Sequence, residues 1–158
     1  MPRARSIQTL ILKAKPITAK TMFPYGSLID DGEELVLWMR GQPCVSLLRV
    51  ERRALTFRKI ACHRASAQAL IALGGQSSVF VFAPSVSKVG LPDLKRMKAF
   101  LVDGTVGVLI GPGIWHYGPV PLAAHALYAN FEAQGTNRED FHCADIRSEF
   151  GVEVKIEL

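Results

Sequence analysis

The sequence predicts an all-β protein: a small antiparallel β-barrel carrying one or two short helices. Three observations predict it. Short segments rich in branched and aromatic residues recur along the whole chain, Gly, Pro and Asp markers separate them, and only two stretches carry helical signals. About ten short strands so spaced describe a barrel or sandwich rather than alternating βαβ units.

The segments follow in order. Residues 9–15 (TLILKAK), 34–39 (ELVLWM), 45–50 (VSLLRV) and 55–61 (LTFRKIA) each read as a strand. Residues 79–83 (VFVFA), 98–102 (KAFLV), 106–110 (VGVLI), 126–132 (ALYANFE) and 152–157 (VEVKIE) continue the series. Turn markers fall between them, among them Gly41-Gln42-Pro43, Gly74-Gly75, Asp103-Gly104 and Gly111-Pro112-Gly113. Residues 18–23, ahead of Pro24-Tyr25-Gly26, predict one helical turn. Residues 92–97 predict another, with Pro92 at a first helical position and Asp93 at the positive end. No linker or repeat divides the 158 residues, so one domain spanning 1–158 is expected.

Composition narrows the function classes. Apolar residues are 49% and charged residues 21% of the chain, an ordinary globular mixture. The net charge of +5 comes largely from Arg3, Arg5, Lys13, Lys15 and Lys20, and from Arg49, Arg52, Arg53, Arg58, Lys59 and Arg64. In the second group the cations alternate with Leu48, Val50, Leu55, Phe57 and Ile60, as on the wet faces of strands, which argues against a nucleic-acid surface. An excess of cations suits a small anionic substrate. Cys44, Cys62 and Cys143 are odd in number and widely spaced, predicting free thiols and a cytoplasmic location. No run approaches a membrane span, so no membrane association is expected.

The chemistry concentrates in two segments. In residues 106–120 (VGVLIGPGIWHYGPV) a strand runs into a stiff Gly-Pro-Gly turn that delivers His116 beside Trp115. In residues 61–75 (ACHRASAQALIALGG), His63 precedes Gln68, and Gly75 follows. The pair resembles the two cupin motifs, which come from neighbouring hairpins of a jelly-roll barrel and converge on its interior. The likeness departs from the metal-binding form: Ala61 stands for the first histidine, Gln68 for the glutamate and Val120 for the terminal asparagine. The remaining His63, Gln68 and His116 could hold a divalent transition metal such as Ni, Mn or Zn. Without an anionic ligand, however, the set compels none.

More of the chain resembles the ureidoglycolate lyase family. The residues that carry the likeness are 17–30 (ITAKTMFPYGSLID), His63 with Gln68, 92–108 (PDLKRMKAFLVDGTVGV), the Gly-x-Trp-His of Gly113 to His116, and the acidic run from Glu139-Asp140 to Asp145. The resemblance implies a cupin-like fold, a homodimer, and cleavage of ureidoglycolate to glyoxylate and urea in allantoin (purine) breakdown. Many members carry Glu-Arg before the histidine, where this chain has Ala61-Cys62, and Arg64 replaces the following proline. A diverged cupin enzyme acting on another small organic acid, with a metal, and a non-catalytic metabolite-binding cupin are the alternatives.

The reaction needs a base for the substrate hydroxyl, an acid for the departing nitrogen, and donors for the carboxylate. Imidazoles titrate near neutrality, which makes His116 the candidate base. His63 is the candidate for orienting substrate, serving as acid or binding metal. Gln68 can donate to and accept from a urea edge. Lys98 is the candidate for the carboxylate, and Trp115 and Tyr25 are candidates for the pocket wall. For His125, His142 and the Glu139-Asp140 pair, ordinary surface or structural roles are expected.

Overall fold

The computed structural model describes residues 6–88 and 90–158; Arg3 and Arg5 lie outside them. The described elements run β1 (Gln8–Lys13), β2 (Lys15–Pro16), α1 (Ala19–Met22), β3 (Gly26–Ile29), β4 (Pro43–Glu51), β5 (Thr56–Phe57), β6 (Lys59–Cys62), β7 (Gln68–Leu73) and β8 (Ser78–Ala83). After a 3₁₀ turn at Leu94–Arg96 come β9 (Lys98–Val102), β10 (Gly107–Ile110), β11 (Trp115–Pro121), β12 (His125–Ala133), α2 (Thr136–Glu139), β13 (His142–Asp145), α3 (Ile146–Phe150) and β14 (Val152–Glu157). The protein is all-β and cupin-like, with three short α-helices where one or two were expected.

The strands form three sheets and the barrel is not closed. A six-stranded sheet, ordered β13-β6-β11-β8-β9-β2, lies between a five-stranded sheet, β3-β10-β7-β12-β4, and a three-stranded one, β1-β14-β5. Most pairings are antiparallel; β1 with β14 and β2 with β9 are parallel. Period-two alternation decides what each face buries. On β8, Val79, Val81 and Ala83 pack towards β14 with Ile60, Cys62, Trp115, Val154 and Ile156. Phe80 and Phe82 point the other way and join Phe100, Val108, Ile110, Tyr128 and Leu70 against the five-stranded sheet. With both faces covered, β8 is buried along its whole length, which is why it reads as an unbroken apolar run.

Two expectations are corrected. Residues 34–39 alternate like a strand but pair with nothing except through one bridge, Met39 to Ser66. Leu35 and Leu37 instead lie on Ala67, Ala69 and Leu109, covering part of the outer face of the five-stranded sheet. Residues 55–61 divide into β5 and β6, which belong to different sheets. The helical turn at 18–23 is present as α1, closed by a reciprocal cap: Thr21 N–H donates to Thr18 Oγ1 at 3.2 Å, and Thr18 N–H donates to Thr21 Oγ1 at 3.0 Å. The turn at 92–97 tightens to 3₁₀, capped by the Asp93 carboxylate on Lys95 N–H.

Candidate active site

The site begins with alternation on β6. Ile60 and Cys62 are buried in the core against the three-stranded sheet, so Lys59, Ala61 and, one step beyond the strand, His63 face the opposite side. On the neighbouring strand β11, His116 pairs directly with Ala61 and, on its other side, with Phe82. His63 and His116 therefore meet on the inner face, with ring centroids 5.4 Å apart. The Gly-Pro-Gly turn contributes to both histidines. Gly113, at φ +77° with open space where a Cβ would stand, donates its N–H to the His63 carbonyl at 2.6 Å.

Each imidazole is oriented by a backbone carbonyl. His63 Nδ1 bonds the Asp140 carbonyl at 2.9 Å and His116 Nδ1 bonds the Ile114 carbonyl at 3.1 Å. A carbonyl only accepts, so both rings carry a proton on Nδ1 and turn Nε2 away from these carbonyls. Burial, then the neighbouring His63 and Arg53, pull the His116 pKa down to about 4, against a smaller opposing effect of the Ile114 carbonyl. His116 is thus a neutral acceptor at pH 7.

Both histidines line a cavity of about 800 Å³ between the six- and five-stranded sheets. Gln68 and Asn130 form its far wall from adjacent strands β7 and β12, with Gln68 Nε2 donating to Asn130 Oδ1 at 2.9 Å. Arg53, Arg58 and Lys59 line it towards solvent. Arg58 also reaches Asp145 at 3.8 Å. The Arg53 guanidinium lies 4.2 Å over the Tyr117 ring, which stacks on Phe57 and donates its hydroxyl to the Ala54 carbonyl.

His63, Gln68 and His116 are therefore brought together, whereas Lys98, Trp115 and Tyr25 are not. Lys98 is exposed on β9, opposite Phe82, and does not line the cavity. Tyr25 stacks on Phe82 in the core at 5.8 Å and donates its hydroxyl to the Arg96 carbonyl at 2.6 Å. Trp115 points to the face opposite His116, its indole N–H shared by Ser85 Oγ and the Gly90 carbonyl. Alternation requires this, since consecutive strand residues face opposite ways. Asp140 is buried rather than solvated. Its carboxylate accepts from the N–H groups of Arg64 (2.9 Å) and Ala65 (2.7 Å) and bonds His142 Nε2, fixing the loop that carries His63.

Lys59, read from the sequence only as a cation on a wet strand face, joins Ala61 and His63 through the period-two alternation of β6. Asn130 and Arg53 gave no local signal, because only pairing across strands puts them at the cavity. All three thiols are free; burial pushes Cys62 up to about 11, and Cys143 is exposed at the cavity.

The donor set fits a resident divalent metal poorly. It offers two imidazoles and one amide oxygen without a carboxylate, beside a guanidinium and an ammonium. No group of three or more His, Cys, Asp or Glu among the described residues could hold a metal.

The ureidoglycolate lyase family profile matches residues 33–154, which include both histidines and both wall amides. The chain belongs to the ureidoglycolate lyase family. It is 30% identical over 129 residues to a ureidoglycolate lyase of Burkholderia mallei (strain NCTC 10229), covering 79% of this chain and 69% of that one. It is 29% identical over 128 residues to a putative ureidoglycolate lyase of Agrobacterium fabrum (strain C58 / ATCC 33970), covering 73% and 78% respectively.

Proposed function

We propose that the protein cleaves ureidoglycolate to glyoxylate and urea in allantoin catabolism. The observation that carries this reading is the pair of imidazoles 5.4 Å apart in one cavity, each held through Nδ1 by a backbone carbonyl. In the reaction the hydroxyl and the ureido nitrogen share one carbon. His116 Nε2 takes the hydroxyl proton, the O–H electron pair forms the aldehyde C=O, and the C–N bond breaks with its pair going to nitrogen. The proton then passes from His116 to that nitrogen, releasing urea. His63 Nε2 accepts from a substrate N–H and holds the urea end. Arg53 and Lys59 take the carboxylate role first expected of Lys98, since they line the cavity and Lys98 does not.

A larger relative of the same acid is a second reading. Ala61, standing where many family members carry the glutamate of Glu-Arg, lines the cavity directly beside His116 and leaves room there.

We also propose a homodimer in the cytoplasm, joined through β4. This edge strand has no neighbour on one side, and its outward Val45 and Leu47 are 63% and 68% exposed. Pairing of β4 with its own copy across a two-fold would extend the sheet, satisfy the open backbone edge and set Val45 and Leu47 beside their counterparts on the outer face. No helix among the described residues is long and apolar enough to cross a membrane.

The test is glyoxylate release from racemic ureidoglycolate. His116→Gln is expected to lower kcat by about 10²–10⁴-fold while the protein stays folded. Equal rates above background would remove His116 from the chemistry, and no release above background by wild type would leave a metabolite-binding protein rather than an enzyme.

A further inference from the structure

Opposite the imidazoles a chain of three polar side chains, each more than nine-tenths buried, runs from the cavity wall into the sheet: Gln68 (7% exposed) and Asn130 (3%) line the cavity, and Glu132 (8%) stands behind Asn130. Asn130 and Glu132 stand two apart on β12, so both point inward. The Asn130 NH₂ group donates to Glu132 Oε1 at 3.1 Å and to Ser46 Oγ at 3.4 Å. Asn137 Nδ2, from α2, donates to the same Glu132 oxygen at 3.3 Å. An amide alone is ambiguous, because its oxygen and nitrogen ends have nearly the same shape. The carboxylate removes the ambiguity, since it accepts and cannot donate.

The consequence runs along the chain. Asn130 must turn its NH₂ towards Glu132, which leaves its oxygen facing Gln68. Gln68 must answer with its own NH₂, at 2.9 Å. Two acceptor ends of the chain, Gln68 Oε1 and Glu132 Oε2, are then buried with no partner, and of these two residues only Gln68 lines the cavity. An unpaired buried acceptor is unfavourable. A ligand that presents a donor here, met by a small rotation about the soft terminal torsion of Gln68, relieves it. One that presents a second acceptor makes it worse.

We infer that Glu132 is a positioning residue that fixes Gln68 as a hydrogen-bond acceptor, so the cavity selects ligands carrying an N–H donor, an amide or ureido group, at that end. This rests on the proposed function only for the choice of probe.

The test uses oxalurate, a stable ureido acid, and its analogue in which the terminal NH₂ is replaced by methoxy, a group that can only accept. Calorimetry on the full-length protein is expected to show oxalurate binding at least about tenfold tighter in wild type. Glu132→Gln, whose new amide can donate to a flipped Asn130, is expected to bring the ratio close to one. Glu132→Asp keeps a carboxylate and is expected to keep the preference. Should Glu132→Gln fail to fold, contacts of the Gln68 side-chain NH₂ protons with Asn130, observed by NMR in wild type, report the same polarity. Equal binding of the two probes, binding of neither, or a preference that survives in folded Glu132→Gln overturns the inference. Selective oxalurate binding without ureidoglycolate cleavage would retire the lyase reading and leave this one standing. Cleavage without selectivity would do the reverse.

Discussion

Lowering the pH from 7 to 4 is expected to destabilise the protein by about 3 kcal/mol through His116 alone. The folded pKa of this imidazole is about 4, against about 6.5 for an unperturbed histidine. Between those values the unfolded chain holds the proton and the folded one does not, so acid favours unfolding. The His116 term is absent above about pH 6.5, grows through the window, and is complete below about pH 4. A gap of about 2.5 units at 1.36 kcal/mol each sets the ceiling at about 3.4 kcal/mol, of which about 3 kcal/mol is lost by pH 4, where the folded ring is half protonated; water in the cavity trims it. Urea unfolding of wild type and His116→Gln at pH 7 and pH 4.5 isolates the effect, because glutamine does not titrate and the other carboxylates and histidines remain. Wild type is expected to lose more stability between the two pH values than the variant, and its His116 ring resonance to titrate near pH 4. Equal losses in the two proteins, or a ring titrating near 6.5, would refute the account of a neutral, desolvated base.

Two further outcomes follow from the same geometry. Lys59→Gln and Arg53→Gln are each expected to raise KM for ureidoglycolate about tenfold with little change in kcat, and the wild-type KM to climb with salt, whereas Lys98→Gln changes neither; steady-state kinetics at two ionic strengths decides. Light scattering is expected to give a dimeric mass for wild type and a monomeric one for the pair Val45→Lys, Leu47→Glu, with unchanged far-UV circular dichroism; a wild-type monomer would remove β4 as an interface.

Much of the scaffold was legible because alternation and turn residues are local. The strands at Lys98–Val102 and Val152–Glu157 keep the boundaries expected from their composition. Residues 68–73 escaped notice because β7 presents apolar side chains to both faces, so its alternation vanishes. Residues 115–121 carry no local strand signal because glycine and prolines interrupt them, yet the chain pairs with β8 on both sides of a register shift between Tyr117 and Val120.

By itself the sequence determined an all-β chain, the two histidine motifs and the glycine turn between strand and imidazole, since each depends on residues close together along the chain. Only the tertiary structure decided the company those histidines keep. Strand pairing set His116 beside Ala61 and Gln68 against Asn130, and alternation turned Trp115 away. The filled core around Phe82 separated Lys98 from the cavity. Which cation meets a carboxylate depends on register and packing between distant strands, and neither is encoded in any short segment.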